Sequence, residues 1–133
     1  MAAALLGARL ARRGVHVQVE SAGIHAFVGH PAEAEAQVLM RERGLDLSTH
    51  RGRQLTAGLL SGFELILVME ERHERAVHAL APAARGRVHR IGMFGGFDVP
   101  DPYRQERRAF EQSLSLIERG LADFEEAFWT ARR

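Results

Sequence analysis

The chain has 133 residues, 46% of them apolar and 26% charged, with 18 basic against 17 acidic side chains and a net charge of +1. That length makes one domain with a core of its own, and that composition excludes a disordered tail. The balanced charge gives no electrostatic case for a nucleic-acid or membrane partner, and no apolar run approaches the roughly 18 residues a bilayer span needs.

Met1–Gly7 is short, apolar and followed by Arg9, Arg12 and Arg13, with no basic region ahead of it. It is a poor signal peptide, so the chain is expected to be cytoplasmic. Ala2 to Arg13 reads as a helix stopped by Gly14. Val15, Val17 and Val19 alternate with His16, Gln18 and Glu20, which predicts a strand with one wet face. Ser21-Ala22-Gly23 ends it, and a helix is expected from about Pro31 to Arg43, with Gly44 just past its end. A polar loop, Gly44 to Arg53, leads to a short helix at Thr56–Leu60. Leu65-Ile66-Leu67-Val68-Met69 is unbroken and apolar, as in a strand buried on both faces. Glu70–Leu80 is predicted helical, stopped by Pro82. His73 and His78 on it are read as solvated. Arg87–Ile91 reads as a short edge strand, and Gly92–Arg104 is irregular. The last helix is expected from Gln105 to about Thr130, where Phe110, Leu114, Ile117, Leu121, Phe124 and Phe128 make one stripe.

Strands separated by helices predict an α/β fold: a doubly wound parallel sheet with three recognisable strands. Such a fold normally opens on a strand, yet this chain opens on a helix. Two edge strands and one buried strand also make a thin sheet for four helices. A first central strand ahead of Met1 would complete it.

Several segments occur in order: Ser21-Ala22-Gly23, Gly29-x-Pro31, Gly44-Leu45-Asp46-Leu47-Ser48-x-His50-x-x-Arg53-x-Leu55, Phe63–Met69 and Asp101-Pro102-Tyr103-Arg104. With Met1–Leu6 before them, they resemble the bacterial low-molecular-weight protein-tyrosine phosphatases along nearly the whole chain. The resemblance implies one domain over residues 1–133, with flavodoxin-like strand order. It also implies a phosphate loop, Cys-x5-Arg, whose place would be just ahead of Met1. A recorded start that lies too far downstream is the expectation that follows. Between strands 15–20 and 65–69 the family has a further strand. The chain without it is expected to be unstable alone, rearranged or self-associating.

Phosphotyrosine hydrolysis of this kind needs a thiolate nucleophile, donors for the phosphoryl oxygens, and an acid for the leaving phenolate. The chain has no cysteine, and all its basic residues are arginine. Disulfides, thiolate metal sites, a cysteine nucleophile and a lysine phosphate clamp are excluded within it. The resemblance assigns Asp101 as the general acid and Tyr103 as a wall of the substrate cleft, with Phe27 and His25 as weaker candidates for its other walls. Ser21 and His50 match positions that brace the phosphate loop. From the residues alone, Asp101-Pro102 reads as a turn in preference to an acid, while Ser21 equally reads as a strand-end cap and His50 as a surface histidine. Arg51, Arg53 and Arg104 read as a polar face. No metal ligand set and no cofactor are expected.

The expected function is therefore a phosphomonoester hydrolase acting on phosphotyrosine in proteins through a cysteinyl-phosphate, with this chain inactive as it stands. The expected partner is a phosphotyrosine protein, a bacterial tyrosine kinase among the candidates. The alternative is a non-catalytic phosphotyrosine-binding or regulatory member. Arsenate reduction on the same fold ranks last, because it needs further cysteines and typically lacks the Asp-Pro-Tyr acid.

Overall fold

The computed structural model describes residues 1–129. Eight elements follow one another: α1 Ala2–Arg12, α2 Ala34–Glu42, α3 Ala57–Leu60, β1 Ile66–Val68, α4 Glu71–Leu80, a 3-10 helix Pro82–Arg87, β2 Val88–Arg90 and α5 Arg107–Phe128. The two strands pair in parallel, Ile66 opposite Val88 and Val68 opposite Arg90. α4 and the 3-10 helix form the crossover between them, as parallel pairing requires. This is the α/β pattern with a parallel sheet that the sequence predicts.

The stripe on α5 organises the larger core. Phe110, Leu114, Ile117 and Leu121 are buried with Leu5 of α1, with Leu39 and Met40 of α2, and with Ile91 and Val99. Full burial of one such side chain contributes roughly 1.5–3 kcal/mol, so this face outweighs the helix's own modest propensity. Gly120 lets α5 come close to the sheet: a Cβ there would overlap Ile91. Phe128, the stripe's last member, is 43% exposed. Thr130, where the sequence predicts the helix end, lies outside the described residues. A smaller core joins Leu60, Val77, Ala84 and Val88 on the far side of β1 and β2.

Glu125 pins α1 to α5. Its carboxylate accepts from Arg9 Nη1 at 2.8 Å and from Arg13 Nε at 2.7 Å, and the residue is only 7% exposed. Burial pushes its carboxyl up, but the hydrogen bonds and charges of the two arginines outweigh that and hold it below its ordinary value.

The structure corrects four sequence expectations. Residues 15–20 carry no regular secondary structure and form no strand. Val15 N–H donates back to Leu10 O, and residues 16–22 make no backbone–backbone hydrogen bond among the described residues. An alternating segment becomes a strand only when a neighbour accepts its backbone groups. The Leu65–Met69 run is half-buried rather than buried on both faces, because β1 has a strand on one side only. α2 begins at Ala34, since Pro31 is drawn into an antiparallel bridge with Arg51. His73 and His78 are half-buried rather than solvated. His73 Nδ1 accepts the Glu70 N–H at 3.1 Å and closes a capping box at the start of α4. No helix among the described residues is long and apolar enough to cross a membrane.

Candidate active site

Asp101 stands on an exposed turn whose base is held from two sides. Val99 is buried and its N–H donates to Met69 O, one residue past β1, at 2.9 Å. Pro100 O accepts from the buried Ser113 Oγ of α5 at 2.7 Å. The sheet end and the long helix thus clamp the two residues before Asp101. The tip is shaped locally: Asp101 Oδ1 accepts the Tyr103 N–H at 3.0 Å, and Gln105 N–H donates to Pro102 O at 2.9 Å. The result is an Asp-initiated turn whose carboxylate keeps a free oxygen toward solvent.

Tyr103 carries the turn onto a second segment. Its ring centroid lies 5.5 Å from that of Phe27, and Phe27 lies 5.7 Å from His30. Phe27 is 56% exposed and Tyr103 38%, so the rings form an open ledge rather than core. Gly52 positions the Phe27 segment. Gly29 N–H donates to Gly52 O, Gly52 N–H donates to His30 O, and a Cβ at Gly52 would overlap the Phe27 carbonyl. Gln54 adds a further tie, accepting from Ala26 N–H and donating to Ile24 O.

The same 51–54 segment leads into an open pocket of about 410 Å³ beside the first turn of α1. Ser21, His50, Arg51 and Arg53 line it, with Ala3 and Ala4 of the helix. Arg51 Nη1 donates to the Ser48 and His50 carbonyls, and Arg53 to Ser21 O, while Glu20 sits 3.5 Å from the Arg53 guanidinium. Partial desolvation lowers the His50 imidazole below its ordinary value, and the Met1 amine and Arg51 add repulsion. The N-terminus of α1 and the Arg51 guanidinium put positive charge on this pocket, while Glu20, which also lines it, offsets that of Arg53.

Of the residues the sequence singles out, the structure brings together Asp101, Tyr103 and Phe27 on the ledge, and Ser21 and His50 in the pocket. His25 is exposed and lies outside the ring contacts. Three contributors carry no sequence signal for this site: Ser113 and Gln54, whose roles are tertiary hydrogen bonds, and His30, which extends the ledge. A fourth is Arg72 at the start of α4. The hydrogen bond and charge of Glu70, then the charge of Asp101, hold its guanidinium above its ordinary value.

Residues 1–131 match the family described as low molecular weight phosphotyrosine protein phosphatase. The chain belongs to that family. It is 40% identical over 121 residues to the low molecular weight protein-tyrosine-phosphatase Etp of Escherichia coli, covering 90% of this chain and 82% of Etp. It is 40% identical over 113 residues to Wzb of Salmonella typhimurium, covering 82% of this chain and 74% of Wzb. Among solved structures it is similar to Vibrio vulnificus Wzb in complex with benzylphosphonate, with a TM-score of 0.87 and 36% identity over 96% of this chain and 88% of that one. The fold and the tyrosine-phosphatase lineage follow. These 133 residues contain no cysteine, so they cannot by themselves form the cysteinyl-phosphate on which the expected mechanism rests.

Proposed function

We propose that the described residues form the acid and recognition half of a phosphotyrosine hydrolase site. One observation carries the reading: Asp101 sits exposed at the tip of a turn clamped at Val99 and Pro100, directly beside the Tyr103–Phe27 ledge. In this reading a phosphotyrosine ring lies along the ledge, and Asp101 gives its proton to the departing phenolate and afterwards takes one from water. Ser21 and His50 brace whatever backbone holds the phosphoryl oxygens, and His25 borders the outer cleft. The benzylphosphonate bound by the Vibrio Wzb supports this substrate class, since it carries a phosphorus acid on a benzyl group as phosphotyrosine's head group does on a ring. The substrate is a phosphotyrosine protein, with a bacterial tyrosine kinase as the specific candidate, in the cytoplasm.

These residues hold no cysteine nucleophile, so the 133-residue chain is expected to hydrolyse p-nitrophenyl phosphate no faster than its Asp101→Ala variant. The same chain fused at Met1 to a strand and a Cys-x5-Arg loop of the family's type is expected to turn over, and Asp101→Ala in the fusion is expected to slow it by roughly 10²–10⁴-fold. Asp101-dependent hydrolysis by the unfused chain would overturn the first expectation; an active fusion indifferent to Asp101 would overturn the acid assignment. The absence of cysteine also favours a second reading, a non-catalytic phosphotyrosine binder. A fused chain that binds phosphotyrosine peptides but never turns over would establish it.

A further inference from the structure

The turn that presents Asp101 contains a strained residue with no part in proton transfer. Arg104 has φ 60°, the single positive φ outside glycine among the described residues. Its Cβ makes that conformation costly, and arginine lacks the short polar side chain with which Asn or Asp offsets the cost. The turn aims the side chain back along the ledge: its guanidinium lies 5.2 Å from the Tyr103 ring centroid. The residue is exposed, and it makes no salt bridge among the described residues, whereas eight other arginines do. At the other end of the ledge, beyond Phe27 and His30, Pro31 bridges to Arg51, whose guanidinium also holds only carbonyls. An aromatic ledge flanked by two cations without carboxylates is a surface with uncommitted positive charge.

We propose that Arg104 is a specificity-determining residue. It receives the carboxylate of an Asp or Glu next to the phosphotyrosine of the substrate, while Tyr103 and Phe27 lie under the ring. This rests on the phosphotyrosine reading and names the class of segment preferred: an acidic one. The guanidinium fork suits a carboxylate in bidentate geometry, and stacking on Tyr103 fixes its plane before the ligand arrives. The left-handed backbone directs the Cα–Cβ bond of Arg104 so that its guanidinium comes over the Tyr103 ring, which gives the strain at this position a use.

The test is a titration of the chain fused at Met1 to a strand and a loop of the family's type, with the loop cysteine changed to serine so that the peptides survive, using two phosphotyrosine peptides that differ only in Glu or Lys beside the phosphotyrosine, followed by NMR at the Tyr103 and Phe27 rings. The Glu peptide is expected to bind about 5- to 10-fold more tightly, the margin shrinking as salt rises. Arg104→Glu is expected to reverse the preference. Arg104→Gly is expected to abolish it while raising the melting temperature by about 3 °C, because glycine adopts this backbone without strain. Equal binding of both peptides, or a preference that survives Arg104→Gly, overturns the inference and leaves the phosphotyrosine reading intact. Binding of neither peptide overturns both. A lower melting temperature in the glycine variant overturns the argument from strain.

Discussion

Asp101 takes its position from groups that hold its neighbours rather than its carboxylate. Met69 O and Ser113 Oγ grip Val99 and Pro100, while the Asp101 side chain is exposed and accepts only the local Tyr103 N–H. His50 is set differently, by a field. Desolvation, the Met1 amine and Arg51 all disfavour its protonated form, so its folded pKa lies below the ordinary 6.5. The sign follows by linkage: the unfolded chain takes up this proton first as pH falls, so the contribution present above 6.5 is lost as pH drops through the folded value. An NMR titration of the His50 ring is expected to show a midpoint below 6.5. Arg51→Ala is expected to move it upward, and Arg12→Ala to leave it in place. Asp101, Tyr103, Ser21 and His50 were legible because short motifs mark them in order along the chain. Ser113 and Arg104 were not. A serine within an apolar helix stripe and an arginine after Asp-Pro-Tyr show nothing in sequence of a tertiary hydrogen bond or a left-handed backbone.

Elements were legible where periodicity coincided with packing. The α5 stripe predicts a helix, and five of its six members are buried. The 15–20 segment alternates as cleanly, yet it is not a strand, because alternation shows which side chains share a face and not whether a neighbour exists. Pro31 likewise signals a first helical turn, but the bridge to Arg51 claims it first. The junction of α1 with α5 was also hidden, since Glu125 stands more than a hundred residues from both Arg9 and Arg13 and all three look like ordinary surface charges. Glu125→Gln is expected to destabilise the fold by about 1–3 kcal/mol at neutral pH by leaving two partly buried guanidinium groups without a counter-charge. Because the folded pKa of Glu125 lies below the ordinary 4.5, its contribution is complete above that value and declines as pH falls through the folded pKa. Urea unfolding of the two proteins is therefore expected to show a gap at pH 7 that narrows as pH falls below 4.5. A gap unchanged by acid would assign the effect to packing rather than charge.

At the scale of the molecule, the unbalanced feature is the sheet. Two strands of three residues each carry the parallel ladder, and β1 offers its second edge to no strand among the described residues. Residues 16–22 make no backbone–backbone hydrogen bond among the described residues either, and Val17 is 55% exposed. Open edges and alternating apolar segments without backbone partners pair with whatever complementary backbone they meet, and another copy of the chain is always at hand. The 133-residue chain is therefore expected to self-associate with rising concentration, in competition with its own marginal stability. Sedimentation velocity over a concentration series is the measurement, with dimers or larger species expected to appear in the micromolar range or above. Val17→Lys places a charge on the exposed face of the alternating segment, and Val17→Pro removes a donor from it, so both are expected to shift the distribution toward monomer. A surface change elsewhere, such as Arg108→Gln on the exposed face of α5, is expected to have no such effect. A monomer that persists at high concentration and melts cooperatively would mean that the half-buried apolar faces and short ladder satisfy this fold by themselves.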